Sequence, residues 1–450
     1  MVRAGRSRSP ARHVVNRLGR VTNEDFTTFP IDAVSQERLA AQGLRLGLVD
    51  TSDAAAFDAW LRADLRGFHQ GDPSEKVLKE QREGLAYRRT TGVWDETVDE
   101  PVVPVATVNS WPANLTVPGG RTVPAWAISS VTVAPTHRRR GVARAMLESE
   151  LRTAAALGLP LAMLTVSESS IYGRYGFAPA ALAADLVIDT KRARWTGPVP
   201  GGNVHFIPNE RFVDEVAGVH ERYRLSSPGE LPVWPLRWQQ LAGLTGDDEA
   251  RKRGLRTLRY ADEQGETRGV AIFKIDGGDA DFTKHTLHLE HLLAETDDAY
   301  AALWRFVLEM DLVSEVRAGL RSVDEPLLWQ IADFRGVKAE VQEHQYLRVL
   351  DVPVTLESRS YFSDGAITLG VTDDLGFATG VWRVEVANGA ATVTETTDAP
   401  ELTLTVNQLS SVLLGGVRPS TLLRASGSPV PDGMDALFAS DRTPWLSVWY

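Results

Sequence analysis

The chain of 450 residues contains no cysteine. That absence excludes disulfide staples, thiol nucleophiles and thiolate zinc sites together, and it fits a reducing compartment. No uninterrupted apolar run approaches the ~20 residues that a membrane helix needs. Positive charge is in deficit, because 48 Lys and Arg stand against 59 Asp and Glu and leave a formal net charge of −11. Nucleic-acid binding rests on basic patches, so this balance argues against it. The same field attracts cations such as polyamines or multi-amine sugars, and it also serves plain solubility.

The basic residues that do occur are concentrated in two places. Met1 to Arg20 holds six arginines and no acid, without the apolar core of a secretory signal. Such a start fits an organellar transit peptide or a basic tail. With nothing else pointing to an organelle, the reading is a disordered tail over 1–40 on a cytoplasmic protein. The second concentration is Ser130-Val-Thr-Val-Ala-Pro-Thr-His-Arg-Arg-Arg-Gly-Val-Ala-Arg144. An apolar strand runs here into a proline-broken turn, three arginines, a Gly-x-Ala step and an amphipathic helix. Helix-start N–H groups lack intrahelical partners and carry the positive end of the helix dipole, so they suit a pyrophosphate. Gly141 and Ala143 let phosphates approach the backbone, and Arg138, Arg139, Arg140 and Arg144 add charge-assisted contacts.

The flanks support this cradle. From Val142 to Leu157 the spacing places Ala143, Met146, Leu147, Leu151, Ala154 and Ala155 on one helical stripe. Gly158 and Pro160 stop that helix, and Leu161 to Val166 reads as a buried strand. Strand, glycine turn, helix, strand makes a βαβ unit with the anion site at its first crossover. Val102 to Ser110 and Ala125 to Val133 read as strands, joined through the turn residues Pro118-Gly-Gly120. Asp53 or Ser52 caps a helix from Ala54 to Phe68.

Two stretches now carry a resemblance. Arg138-x-x-Gly141-x-Ala143 resembles the acetyl-CoA signature Gln/Arg-x-x-Gly-x-Gly/Ala of the GNAT superfamily of N-acetyltransferases. Ser167-Glu-Ser-Ser-Ile-Tyr172-Gly-Arg-Tyr-Gly176-Phe-Ala-Pro179 resembles the strand-to-short-helix segment of the Eis (enhanced intracellular survival) branch, and the aromatic C-terminus Trp445 to Tyr450 agrees with it. The resemblance implies α/β and α+β architecture with tandem GNAT-like domains and a C-terminal domain similar to a sterol carrier. Expected spans are 41–195 for the catalytic domain, 200–348 for a degenerate second one and 349–450 for the last. The second domain reads as strands Gly254 to Tyr260, Thr267 to Ile275 and His285 to Leu293, then a helix Asp297 to Met310. Its cradle position reads Ala294-Glu-Thr-Asp-Asp298, whose carboxylates repel a pyrophosphate.

The resemblance also implies roles. Val131, Thr132 and Val133 pair with the pantetheine arm of acetyl-CoA, and Arg138, Arg139, Arg140, Gly141, Val142, Ala143 and Arg144 surround its phosphates. Ser167 and Glu168 match a further CoA contact, Tyr172 the general acid, and the α-carboxylate of Tyr450, after an apolar strand, the general base. A phenol keeps its proton at neutral pH and can deliver it to a thiolate, whereas an α-carboxyl at ~3.3–3.7 is a weak base unless burial raises it. Acceptors are expected among multi-amine small molecules such as aminoglycosides, and a hexamer is implied. The alternatives are lysine or protein acetylation on the same scaffold, or a non-catalytic CoA- or lipid-binding regulator. Trp60, Phe68, Trp94, Asp64, Asp72 and Asp95 offer aromatic walls and carboxylates for a cationic amine, with no single assignment among them. No metal is expected. His285-x-x-His288-x-Glu290-His291 splits between two faces of a strand, and Asp276 to Asp281 lacks the Glu of a calcium loop and reads as a hairpin turn.

Overall fold

The computed structural model describes residues 26–450. Its first half supplies strands β1 (Leu44–Leu48), β2 (Arg89–Asp95), β3 (Ala106–Val117), β4 (Arg121–Val133), β5 (Leu161–Thr165) and β6 (Ala178–Asp189). Next come β7 (Asn203–Ile207), β8 (Arg256–Ala261), β9 (Thr267–Gly277), β10 (His285–Ala294), β11 (Val313–Arg321) and β12 (Val337–Val349). These twelve strands form one sheet in the order β1-β2-β3-β4-β5-β12-β6-β11-β10-β9-β8-β7.

Strand β12 makes that continuity. Gln345–Val349 pairs antiparallel with β5, and Val337–Leu347 pairs with β6 on the other side. Strand β6 in turn pairs with β11. Each repeat is thus closed by a strand from the other, which leaves no internal edge and ties the two halves by backbone hydrogen bonds.

The turn between β3 and β4 uses Gly119 and Gly120 at φ of 83° and 71°, where a side chain would be strained. The helix Val142–Ala156 packs on β3, β4 and β5. Its buried side is wider than the apolar stripe read from the sequence, for Ala155 is exposed whereas Glu148 and Glu150 are buried. Glu150 accepts from Ser110 Oγ at 2.6 Å and Trp126 Nε1 at 3.0 Å, with Arg89 Nε at 3.8 Å. These donors compensate its lost hydration.

The last part of the chain adds β13 (Gly365–Thr372), β14 (Gly380–Ala387), β15 (Ala390–Glu395) and β16 (Leu402–Thr405), a separate sheet in the order β15-β14-β13-β16. Helix Val406–Val412, opened by a Thr405/Gln408 capping box, lies between this sheet and strands β6 and β12. Arg348 of β12 is buried and pairs with Asp373 at 2.6 Å, so the small domain is also locked to the large sheet.

Two expectations need correction. The expected tail over 1–40 lies outside the described residues up to residue 25, but from residue 26 the chain is folded. Phe26 is buried edge-on against Trp126, Arg89 donates to the carbonyls of Phe26 and Phe29, and Asp32 caps a helix Ala33–Ala40. The buried Arg89 guanidinium needs those acceptors, which is why the segment is held. The C-terminal residues, read as a strand, join neither sheet. They run extended and are fixed one contact at a time: Trp445 N to Pro228 O at 2.8 Å, Trp445 Nε1 to Leu320 O at 2.7 Å, Ser447 N to Glu230 Oε1 at 3.0 Å, and His344 Nε2 to Val448 O at 3.0 Å. Among the described residues, no helix is long and apolar enough to cross a membrane.

Candidate active site

Strands β4 and β5 are parallel neighbours over only three pairs, Ala125–Leu161, Trp126–Ala162 and Ala127–Met163. Beyond them β4 bulges. Thr107 of β3 faces Thr132 while Asn109 faces Ser129, and Ser130 takes a φ of 56°. A serine in the left-handed region is strained and needs support. It has it: Thr107 Oγ1 donates to Ser130 O at 2.9 Å and lies 2.6 Å from the Thr132 hydroxyl. The bulge turns β4 away from β5 and opens a crevice, with Ser129 to Val133 on one wall and Leu164 to Val166 on the other. Val131, Thr132 and Val133 therefore present their β5-facing edge to this crevice.

The β4 wall leads into the helix Val142–Ala156. Gly141 is its N-cap at a φ of 74°, without a side-chain cap, and no atom lies within 4 Å of where a Cβ would stand. The first helical bond is Ala145 N to Gly141 O at 3.0 Å, so the amides of Val142, Ala143 and Arg144 have no acceptor within the helix. The neighbouring arginines divide into two pairs. Arg138 and Arg139 are exposed and make no ion pair among the described residues. Arg140 reaches back to Gln42 O at 3.1 Å and Asp95 at 3.7 Å, and Arg144 pairs with Glu148 at 2.6 Å. Val142 itself is buried in the core. His137 Nε2 meets Asp95 Oδ2 at 3.0 Å and pins the turn before the cradle.

At the end of β5, Ser167 and Glu168 are exposed and a single helical turn, Ser169–Tyr172, follows. Tyr172 is buried edge-on against Phe177, and its hydroxyl bonds to no protein group among the described residues. Burial first, then the Glu168 carboxylate and Tyr175, push its phenol up to about 12, so it stays protonated. The C-terminal segment arrives at the same strand end, where Thr165 Oγ1 donates to Tyr450 O at 2.7 Å. Thr165 lies as far past the last β4–β5 pair as Ser129 does on β4, so the two walls face each other at this depth. The Tyr450 ring sits edge-on against Trp111 at 5.6 Å.

The structure separates the six acceptor-pocket residues. Trp60 is fully buried, stacks on Phe57 and donates to Thr91 O, and Trp94 lies under Arg45. Asp72 is exposed and paired with Arg62, and Phe68 is exposed. Asp95 is held well below the usual carboxylate range by hydrogen bonds from Thr97 and His137. Asp64 alone reaches the β4 bulge, accepting from Ser130 Oγ at 3.2 Å. Arg88 joins that wall, stacked 3.6 Å from the Trp111 ring centre and 4.6 Å from that of Trp234. Nothing in the local sequence singled out Arg88; only strand pairing brings it there.

The second half repeats the plan with different chemistry. Strands β10 and β11 are parallel from His285 to Leu289 and then part. A cavity of about 310 Å³ opens there, lined among others by Tyr300, Arg321, Glu325 and Trp445. Its helix Asp297–Leu308 is capped by Thr296, whose side chain accepts from Ala299 N at 3.2 Å, and its first turn carries Asp297 and Asp298. Glu325 accepts from Tyr300 Oη at 2.5 Å, Trp304 Nε1 at 3.2 Å and Arg321 Nη2 at 3.1 Å. The histidine-rich residues of β10 have separate partners: His288 meets Asp276, Glu290 meets Arg251 and Lys274, and His291 is buried. No grouping that could hold a metal occurs among the described residues.

Family models match this layout. Residues 49–180 and 233–349 each match an acetyltransferase (GNAT) domain, and residues 352–447 match a sterol carrier protein domain. The N-acetyltransferase Eis of Mycobacterium tuberculosis is 32% identical over 341 residues, 73% of this chain and 81% of that protein. The chain is an Eis-type N-acetyltransferase of the GNAT superfamily. A Streptomyces avermitilis protein described as an uncharacterized N-acetyltransferase is 33% identical over 399 residues, covering 86% of this chain and 94% of its own. The crystal structure of Eis1 from Mycobacterium abscessus superposes with a TM-score of 0.75 at 26% identity, over 90% of this chain and all of that one. The architecture is accordingly two GNAT domains followed by a sterol-carrier-like domain, in mixed sheets with flanking helices.

Proposed function

We propose that this acetyltransferase moves the acetyl group of acetyl-CoA to primary amines of multi-amine small molecules such as aminoglycosides. The observation that carries the proposal is the uncapped start of helix Val142–Ala156, open at Gly141 and flanked by Arg138 and Arg139, exposed and without an ion pair among the described residues, at the mouth of the β4–β5 crevice. Those amides and guanidinium groups hold the diphosphate, and Val131, Thr132 and Val133 bond the pantetheine arm, with Ser167 and Glu168 at its far side. The thioester then lies between the β4 bulge and the end of β5. Tyr172 delivers its proton to the departing thiolate. The α-carboxylate of Tyr450 receives a proton from the attacking nitrogen. Thr165 orients it, and close seating of the acceptor supplies the proximity that offsets its weak basicity. The formal charge of −11 favours polycationic acceptors. A homo-oligomer, a hexamer by family resemblance, completes the proposal.

The test is thiol release and product mass with acetyl-CoA across a panel of aminoglycosides, simple polyamines and lysine peptides. Aminoglycosides are expected to turn over fastest, and preferential acetylation of the peptides contradicts the substrate class. Extending the chain past Tyr450 by a few residues is expected to abolish turnover while leaving acetyl-CoA binding intact; full activity in the extended protein removes the carboxylate from the mechanism.

A further inference from the structure

In the acceptor wall, two polar atoms of opposite kind remain unpaired. Arg88 Nη1 donates to Asn109 Oδ1 at 3.2 Å, Asn109 Nδ2 to Ser130 Oγ at 3.1 Å, and Ser130 Oγ to Asp64 Oδ2 at 3.2 Å. The donors all run one way along this chain, from the guanidinium to the carboxylate. At its ends, Asp64 Oδ1 and Arg88 Nη2 are buried with no hydrogen-bond partner among the described residues. Leaving such atoms unpaired is costly, more so when they are charged, and each calls for an explanation, of which a ligand that completes them is one.

The frame around them is closely packed. Arg88 is clamped between the rings of Trp111 and Trp234, and Trp111 touches the Tyr450 ring. Helix Ala54–Gly67, which carries Asp64, lies so close on β4 that a Cβ at Gly67 would stand 2.5 Å from the Thr132 Cβ. The serine that bonds Asp64 is the strained Ser130 of the bulge, opposite the strand end that receives Tyr450. Strain held at this point sets the carboxyl's position against the crevice.

We propose that Asp64 binds the ammonium group of the acceptor and takes its first proton, delivering a neutral amine to the thioester. This rests on the acetyl-transfer reading above and adds to it. An ammonium loses two protons on becoming an amide. Asp64 accepts the first, the nitrogen attacks the thioester carbon, and the C–S bond breaks as Tyr172 protonates the sulfur. The second proton leaves the nitrogen for the Tyr450 carboxylate and replaces the one Tyr172 gave. Asp64 returns its proton to solvent, so an ammonium and acetyl-CoA become an amide, a thiol and one free proton.

The electrostatics suit this task. Burial pushes the Asp64 carboxyl up to about 7, against the lowering effects of Ser130, Arg88 and Thr107. Ser130 of β4, Thr107 of β3 and Arg88 at the head of β2 are the groups that face it, with Tyr87 beside Arg88, and Arg88 is the single charge among them. A base near the operating pH accepts protons efficiently, which an α-carboxylate at ~3.3–3.7 does not.

The probe is neomycin, an aminoglycoside with several primary amines, and the variant is Asp64→Asn in the full chain. We expect kcat/KM to fall about 10²–10⁴-fold at neutral pH, with acetyl-CoA binding unchanged by calorimetry. Wild-type kcat/KM should rise through about pH 7 with a midpoint that stays put when the acceptor is exchanged for an amine of different basicity. Ser130→Ala, which removes a bond to the charged carboxylate, should move that midpoint upward. An Asp64→Asn enzyme with wild-type kcat/KM overturns the proposal, and so does a midpoint that ignores Ser130→Ala. One arm needs no turnover. A carboxyl raised in the folded state makes stability fall as pH rises from the unfolded value of ~3.9 towards 7, so Asp64→Asn should gain thermal stability over wild type as pH rises through that window. A constant margin contradicts the proposal. Absence of amine acetylation by the wild type, with the stability margin growing as stated, would instead fault the acetyl-transfer reading alone.

Discussion

The two crevices of this molecule share a backbone plan and differ in what meets a helix start. In the first, β4 parts from β5 and the following helix begins at an uncapped glycine, with amides that lack a helical acceptor and two arginines without an ion pair among the described residues. In the second, β10 parts from β11 and the helix begins at Thr296, which satisfies an amide itself, followed by two aspartates that occupy the positive end of the dipole. The first crevice leaves the Tyr172 hydroxyl unpaired; the second pairs the Tyr300 hydroxyl twice, donating to Glu325 and accepting from Leu327 N at 3.0 Å. On the reading proposed above, the unpaired hydroxyl marks the crevice that holds the ligand, while the second crevice pairs its own hydroxyl and keeps Arg321 Nε without a partner among the described residues.

Removing one hydroxyl from each crevice tests that contrast. Tyr172→Phe is expected to lower kcat about 10²–10⁴-fold with little change in stability or acetyl-CoA affinity, read by steady-state kinetics and calorimetry. Tyr300→Phe should do the reverse. It strips a donor from the buried Glu325 and orphans the Leu327 amide, costing about 1–3 kcal/mol in denaturant unfolding while activity per folded molecule stays at the wild-type level. A smaller effect sharpens the comparison through pH. Burial holds His344, beside the C-terminal segment, down to about 4, and His291, in the second domain, down to about 3. Both fold as neutral rings, so the unfolded chain binds more protons between those values and the ordinary ~6.5. The contribution of these two rings to stability should therefore fall as pH drops below about 6.5, opposite in sign to that of Asp64, and His344→Gln should remove one ring's share of it in thermal melts.

The features legible in the sequence were those with local chemical causes. Gly141 before a 3.6-periodic run, Gly158 after it, and Pro118-Gly-Gly120 between two β-rich stretches each name a backbone conformation that other residues resist. The acidic helix start of the second domain was readable for the same reason. What could not be read depends on partners far along the chain. Strand β12 pairs with β5 across more than 170 residues of sequence, and its own pattern does not say which sheet it enters. Glu150 looks like the polar side of an amphipathic helix until Ser110, Trp126 and Arg89 arrive to bond it. Asp64 and Asp72 are equivalent as letters. One lies under a strained bulge and the other pairs with Arg62 in solvent, and only the packed helix distinguishes them.

Calorimetric titration of the full chain with acetyl-CoA tests the central contrast most directly. One site per chain is expected, and Arg138→Glu with Arg139→Glu should weaken it by at least about tenfold, some 1.4 kcal/mol. Two sites per chain, or an affinity indifferent to that pair of substitutions, would contradict the assignment of the diphosphate to the start of helix Val142–Ala156.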